Sequence, residues 1–122
     1  DERDCIDFNM DLLSLKFQPN QFKTIVCNAV LEHVLDPFKA VSEMYRVADK
    51  GCKIWAEVPF VQPYHPYKGY PKEVDVKDKD IEHGGDFWRF TPQGIVELMK
   101  PFVRKDILYI NEGGIVFIGE KE

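Results

Sequence analysis

Short apolar segments alternate with helical segments along the chain, a pattern typical of α/β proteins whose strands pair in parallel. The continuous apolar run over residues 24–27 predicts a strand that is buried on both faces. A second strand is predicted over residues 54–58, and residues 5–10 are compatible with a short strand before both. Near the end of the chain, residues 103–110 and 115–118 flank a turn with two glycines and predict an antiparallel hairpin.

Two helices carry the same start signal, which is a capping residue followed by proline. Asp36 precedes Pro37 at the start of the first helix, which we expect to end with Gly51 at its C-cap. Thr91 precedes Pro92 at the start of the second helix. The order of elements therefore implies a mostly parallel sheet that ends in an antiparallel hairpin.

Residues 59–90 interrupt this alternation with a stretch that is rich in proline, glycine and aromatic residues. A connection of about 30 residues without periodicity is uncommon in a compact domain and is usually a lid, a binding loop or an insertion. We therefore expect a single domain over residues 1–122, in which residues 59–90 form a long loop or lid.

The composition narrows the classes of function. With 16 basic and 21 acidic residues the formal net charge is −5, so the chain lacks the positive surface of a protein that binds nucleic acid or an anionic membrane. No apolar run approaches the ~20 residues of a transmembrane helix. Three widely spaced cysteines, Cys5, Cys27 and Cys52, fit reduced thiols in a cytoplasmic protein better than a disulfide framework.

Seven short motifs stand in an order that resembles the class I S-adenosylmethionine-dependent methyltransferases of the type-11 group. The motifs are residues 11–17, 22–34, 36–37, 43–51, 56–60, 62–65 and 86–92. The resemblance implies a Rossmann-like sheet with an antiparallel last strand, in agreement with the pattern above. It also implies S-adenosylmethionine as the cofactor and a small-molecule acceptor for the methyl group.

The first part of the family pattern is missing from this sequence. There is no Gly-x-Gly-x-Gly loop, and no acidic residue stands where the family holds the ribose hydroxyls. The match starts near the family's third strand, so we expect an N-terminally truncated domain with impaired cofactor binding. The alternative is a shortened, non-catalytic paralogue that acts as a dimeric interaction module, because missing strands expose a sheet edge. A homodimer, or residues 5–10 moving into the vacant position, would cover that edge.

The resemblance implies five cofactor-binding residues, which are Asp11, Leu12, Asn28, Ala29 and Leu31. The Asp11 carboxylate would accept a hydrogen bond from the adenine amino group, and the Leu12 backbone N–H would donate to a ring nitrogen. Residues 28–31 follow a strand, at the sheet edge where open α/β proteins bind ligands. The competing interpretations are a turn role for Asp11 and an ordinary strand-to-helix loop for residues 28–31.

Glu32 and His33 are adjacent and chemically versatile. Histidine acts as a general base near neutral pH and a carboxylate can orient it, so His33 and His65 are the candidate catalytic residues. The alternative is a structural hydrogen-bonding role at a helix entry. Some relatives bind a divalent metal through a Glu-x-x-Glu-His motif, but Ala29 replaces the first Glu here. No spacing places His65 or His83 beside the pair, so the sequence predicts no metal site.

The acceptor is expected at the same strand ends as the cofactor. The candidate substrate-binding residues are Glu57, Tyr64, His65, Trp88 and Arg89. Aromatic rings in this set would stack on a sugar ring or another planar acceptor. The alternative is local packing of the rings and a structural ion pair between Asp86 and Arg89. Methyl transfer needs no protein nucleophile, because the sulfonium cofactor is already a strong electrophile.

Overall fold

Four strands form one mixed sheet in the computed structural model, which describes residues 7–65, 85–110 and 113–122. The strands are β1 (Phe22–Asn28), β2 (Ala48–Pro59), β3 (Val103–Ile110) and β4 (Gly114–Glu120). Their spatial order is β1-β2-β4-β3, with β1 and β2 parallel and β4 antiparallel to both of its neighbours. Because β3 therefore runs in the direction of β1 and β2, the expected fold class is confirmed.

Two α-helices of the described ranges cover one face of the sheet. The helices are α1 (Pro37–Val47) and α2 (Pro92–Leu98), and a 3-10 turn, Leu31–His33, precedes α1. Both predicted caps are confirmed: the Asp36 side chain accepts a hydrogen bond from the Lys39 N–H and the Thr91 hydroxyl accepts one from the Gly94 N–H, each at 3.0 Å. The helices contact each other as well as the sheet, so they lie on the same side of it.

The core follows from the alternation of side chains along the central strands. In β2, one set of alternating residues faces the helices and is fully buried; it comprises Cys52, Ile54, Ala56 and Val58. Phe117 of β4 is buried beside them. On the opposite face of β2, Trp55 is 41% exposed, so the described residues cover the sheet from one side only.

The first helix ends earlier than the sequence predicted. It stops at Val47, and β2 begins at the next residue, so the assignment of Gly51 to the helix C-cap is wrong. Gly51 instead lies in an irregularity where β1 advances by two residues, Phe22 to Thr24, while β2 advances by five. Its φ of +81° suits glycine, which has no Cβ to clash in the left-handed region. Its N–H donates to the Lys121 carbonyl at 2.7 Å.

The first strand is not buried on both faces, contrary to the prediction. Cys27 is 5% exposed, but the neighbouring Val26 is 68% exposed on the other face. Within the described ranges β1 pairs with β2 alone, so its second edge has no strand beside it. Residues 7–10 form no strand along that edge, and residues 1–6 of the proposed first strand lie outside the described residues.

The long loop predicted over residues 59–90 is described only at its two ends. Pro59 is the last residue of β2, and residues 60–65 and 85–91 have no regular secondary structure. Phe60 and Val61 both donate their N–H groups to the Gly113 carbonyl, at 2.9 and 2.8 Å, and this fixes how the chain leaves β2. Residues 66–84, including His83, lie outside the description.

None of the helices in the described ranges has both the length and the apolar character needed to cross a membrane. Cys27 and Cys52 are buried and carry free thiols.

Candidate functional site

The site begins where β1 ends. Ala29, the first residue after β1, has a φ of +52° and donates its N–H to the Glu57 carbonyl of β2 at 3.0 Å. A left-handed backbone at a residue other than glycine is uncommon and is often found at functional sites. The 3-10 turn Leu31–His33 follows, and within it Glu32 is 0% exposed. His33, the next residue, remains at the surface.

Three side chains converge beside this turn. The Glu32 Oε1 atom lies 3.5 Å from His33 Nε2 and 3.6 Å from His65 Nε2. The two imidazole rings are perpendicular, with their centroids 5.1 Å apart. The fold thus brings together His33 and His65, which the sequence analysis gave as candidate catalytic residues without placing them side by side, and Glu32 lies between them. We name this arrangement the Glu-His-His cluster.

Backbone carbonyls orient both imidazoles of the Glu-His-His cluster. His33 Nδ1 donates to the Gly85 carbonyl at 2.8 Å, and His65 Nδ1 donates to the Pro63 carbonyl at 2.9 Å. A carbonyl oxygen only accepts, so these short contacts place the hydrogen on each Nδ1. Arg89 Nη2, which can only donate, lies farther from His65 Nδ1, at 3.4 Å. In the neutral rings both Nε2 atoms therefore present lone pairs toward Glu32.

An ion pair supports the cluster from behind. Arg89 Nη2 donates to Asp86 Oδ2 at 2.7 Å, and the same carboxylate oxygen accepts from the His65 backbone N–H at 2.7 Å. Arg89 also donates to the carbonyls of Gln62 and Pro63, at 3.0 and 2.8 Å. Burial alone would raise the pKa of Asp86, but the hydrogen bonds from Arg89 and from the His65 N–H outweigh it and lower that pKa. Asp86 is therefore ionised and holds His65 in place.

Cys27 lies inside the protein near Glu32. Burial, together with the negative charge of Glu32, raises the pKa of the Cys27 thiol to about 12. At neutral pH the thiol is therefore protonated and unreactive, since the thiolate is the nucleophilic form. Cys27 is therefore not a candidate nucleophile.

A cavity of about 340 Å³ runs along the free edge of β1. It is lined mostly by apolar side chains, among them Met10, Leu12, Thr24, Cys27 and Val30. Of the five predicted cofactor residues, Leu12 alone is among the lining residues; Met10 and Cys27, which precede Asp11 and Asn28 in the chain, also line the cavity. The cavity is therefore bordered by residues next to Asp11 and Asn28.

The predicted cofactor residues differ in their surroundings. Asp11 is exposed, and its Oδ1 atom accepts the Leu13 N–H at 2.8 Å, which makes a local turn. Asn28 and Ala29 are exposed at the end of β1. Leu31, at 0% exposure, is part of the hydrophobic core.

Four of the five predicted acceptor residues lie in the segments 60–65 and 85–91, and the fifth, Glu57, lies on β2. Tyr64 and Trp88 are 44% and 42% exposed, and the Trp88 indole N–H donates to the Val34 carbonyl at 2.7 Å. Glu57 is half-buried near the end of β2, opposite Asn28 in the register of the sheet. Arg89 is engaged with Asp86, as the structural alternative anticipated.

Sequence reasoning missed the carbonyls of Pro63 and Gly85, which set the orientation of both imidazoles. Every residue has a backbone carbonyl, so the residue type does not indicate which carbonyl will accept a hydrogen bond from a side chain. The left-handed turn at Ala29 was equally invisible, because alanine is not a residue type that favours it. Of these supporting contacts, only the ion pair between Asp86 and Arg89 was indicated by the sequence, through the three-residue spacing of the two charges.

Residues 2–56 match the family model for the methyltransferase domain. No curated protein matches the chain. Among solved structures, a SAM-dependent methyltransferase from Methanosarcina mazei is 21% identical with a TM-score of 0.63, over 92% of this chain and 65% of its own. A SAM-dependent methyltransferase from Thermotoga maritima is 16% identical with a TM-score of 0.61, over 91% of this chain and 61% of its own.

A third structure of this fold is 1,6-didemethyltoxoflavin-N1-methyltransferase from Burkholderia thailandensis, which holds 1,6-didemethyltoxoflavin and S-adenosylhomocysteine. It is 14% identical with a TM-score of 0.66, over 92% of this chain and 48% of its own. The resemblance to class I methyltransferases is confirmed. The chain spans less than two thirds of the length of each of these three structures.

Proposed function

We propose that the chain is part of an S-adenosylmethionine-dependent methyltransferase domain that, in its complete form, transfers a methyl group to a small acceptor. The main support is the strand order β1-β2-β4-β3, in which the antiparallel β4 lies between strands that run in the opposite direction. The Glu-His-His cluster and the cavity stand at the ends and edge of the same sheet. Ligands of open α/β sheets bind at such strand ends.

We assign the cofactor side of the site to Asp11, Leu12, Asn28 and Ala29, with the fully buried Leu31 supporting the turn from within the core. The free oxygen of Asp11 would accept from the adenine amino group, and the apolar cavity beside it suits a planar ring. These residues fit part of the cofactor only. The sequence has no glycine-rich loop that would let backbone approach the rest of the ligand closely, so we expect weak binding. S-adenosylmethionine itself would supply the electrophilic methyl group.

We assign the acceptor side to the two segments around the Glu-His-His cluster. The exposed faces of Tyr64 and Trp88 offer stacking surfaces, with Glu57 and Arg89 as polar neighbours. His33 or His65 would take the proton that the acceptor loses, because each Nε2 atom carries a lone pair in the neutral ring.

Binding of S-adenosylhomocysteine tests the proposal. In isothermal titration we expect no micromolar binding to this chain, and micromolar binding would contradict the impairment. At millimolar ligand, amide chemical shifts should move around Asp11 and Asn28, and Asp11→Asn should reduce the effect. Asp106→Asn is the matched control, because Asp106 also accepts a local backbone N–H but lies on β3, at the opposite edge of the sheet. Shifts confined to other regions, or none, would refute the cofactor site.

The second candidate is a non-catalytic module that pairs with another copy of itself. Val26 on β1 is exposed, and within the described residues no second strand pairs with that edge; both observations favour this candidate. An open edge and exposed apolar side chains are features of surfaces that associate. Sedimentation should then give a dimer that Val26→Lys dissociates. A stable, folded monomer would exclude this candidate.

A further inference from the structure

We propose that Glu32, His33 and His65 form a binding site for a divalent transition-metal ion of the zinc type. The three residues come from two separate segments, the 3-10 turn after β1 and the segment after β2. They offer one carboxylate oxygen and two imidazole nitrogens. These atoms all lie within 4.8 Å of one another.

Two of the three distances between the ligand atoms are close to those found around one ion. Bonds of about 2.0–2.1 Å in tetrahedral geometry place neighbouring ligand atoms ~3.3 Å apart. The two oxygen-to-nitrogen distances here are 3.5 and 3.6 Å. Both are longer than ordinary hydrogen bonds, and with neutral rings the Glu32 oxygen and the two Nε2 atoms face one another with neither a hydrogen nor a cation between them.

The carboxylate of Glu32 provides an independent indication. Its side chain is 0% exposed, and neither of its oxygens has a hydrogen-bond partner among the residues described. An isolated buried carboxylate is costly, and proteins normally pair it with a cation or with hydrogen-bond donors. A metal ion between Glu32 and the histidines would supply the missing positive charge.

The imidazoles are already oriented for such an ion. Metal-bound histidines usually donate the other ring N–H to a carbonyl or carboxylate, which fixes the tautomer. His33 and His65 do so, through Gly85 and Pro63. The Asp86 carboxylate adds a second layer of support, because it accepts the His65 backbone N–H.

The donor set selects the class of metal. Two imidazoles and one carboxylate suit zinc and other late first-row ions, whereas magnesium and calcium prefer sites made of oxygen. Three protein ligands leave at least one position open. The side chains of His33 and His65 are 26% and 29% exposed, so that position is reachable by water or by an acceptor oxygen.

Within the proposed function, a bound metal ion would change the role of the two histidines. An ion bound at both Nε2 atoms occupies their lone pairs, so it replaces proton uptake by a free imidazole and would itself meet the acceptor. Zinc binding is measured without the methyl donor, and S-adenosylhomocysteine binding is measured without metal. Failure of one proposal is therefore distinguishable from failure of the other.

The test is a titration of the metal-free chain with zinc chloride. We expect one zinc ion per chain, and we expect Glu32→Gln and His65→Ala each to weaken binding by ~100-fold or more. Glu97→Gln is the matched control, because it removes a carboxylate from α2 whose side chain is 62% exposed. It should bind zinc like the parent chain. Magnesium should not compete.

Two further readouts guard against variants that merely misfold. Zinc should raise the melting temperature of the parent chain and of Glu97→Gln but not that of Glu32→Gln, with folding of each checked by circular dichroism. Cobalt(II) should give a visible absorption band in the parent chain that His65→Ala loses. Absence of zinc binding, equal affinity in Glu32→Gln, or magnesium binding as tight as zinc binding would overturn the proposal.

Discussion

At the scale of single residues, Arg89 joins the two chain segments that carry the candidate site. Its guanidinium donates to the Gln62 and Pro63 carbonyls on one side and to the Asp86 carboxylate on the other. Asp86 in turn accepts the His65 N–H. One side chain thus fixes the position of His65, and it does so without touching the imidazole's Nε2 atom.

Replacing Arg89 tests this role. Arg89→Met leaves the fully buried Asp86 without its cation, so we expect the free energy of unfolding to fall by about 2 kcal/mol; the cost is below that of a fully buried pair because 28% of the Arg89 side chain is exposed. Urea unfolding measures the change. Arg104→Met, at an exposed position of β3, is the control and should have little effect. If both variants lost the same free energy of unfolding, the ion pair between Arg89 and Asp86 would contribute nothing beyond what an exposed arginine contributes.

Some contacts between residues of the candidate site could be predicted from the sequence, and others could not. Asp86 and Arg89 are three positions apart, a spacing that allows an ion pair, and the pair was anticipated as an alternative. The proximity of His33 and His65 was not anticipated, because 32 positions separate them in the chain. The carbonyls of Gly85 and Pro63 that orient the two rings also have no sequence signature. The assignments of the cofactor and acceptor residues remain predictions.

At the scale of elements, local start signals were reliable. Asp36 and Thr91 cap α1 and α2 as their sequence context predicted, since capping needs only the side chain and the next three residues. The ends of elements were less predictable. Gly51 has the residue type of a helix C-cap but lies in an irregularity of β2, where the register with β1 decides its conformation.

The cap of α1 gives a prediction at this scale. Asp36→Ala removes the acceptor of the Lys39 N–H and should lower the free energy of unfolding by about 1 kcal/mol. Asp36→Asn retains an oxygen that accepts the same hydrogen bond, so it should change stability only slightly. Urea unfolding of both variants distinguishes capping from a charge effect. An equal loss in the asparagine variant would point to the charge.

At the scale of the whole molecule, ionised carboxyl groups hold loops onto the sheet and helices. A hydrogen bond from Arg46 is the largest cause of the lowered pKa of Glu43, which also accepts the Leu15 N–H at 2.8 Å and anchors the segment before β1. The pKa of Asp86 is lowered at the other end of the sheet. Both groups therefore bind a proton less readily in the folded chain than in the unfolded chain.

This difference sets the pH dependence of stability. Lowered folded pKa values stabilise the protein above the unfolded values, near pH 4, and this stabilisation is lost as the pH falls through the folded values. We expect the free energy of unfolding to decrease below about pH 4, and the difference between the parent chain and Asp86→Asn to shrink there. Urea unfolding across this range measures both. A difference that stays constant or grows on acidification would contradict the role of Asp86.

The sequence by itself determined the order of elements, both helix starts, the terminal hairpin and the resemblance to class I methyltransferases. These features depend on periodicity and on residues close together in the chain. The tertiary structure alone decided that Val26 is exposed, that Gly51 lies within β2 and that Glu32 is buried between two histidines. Burial and convergence depend on which distant segments pack together, and that information is spread over the whole chain.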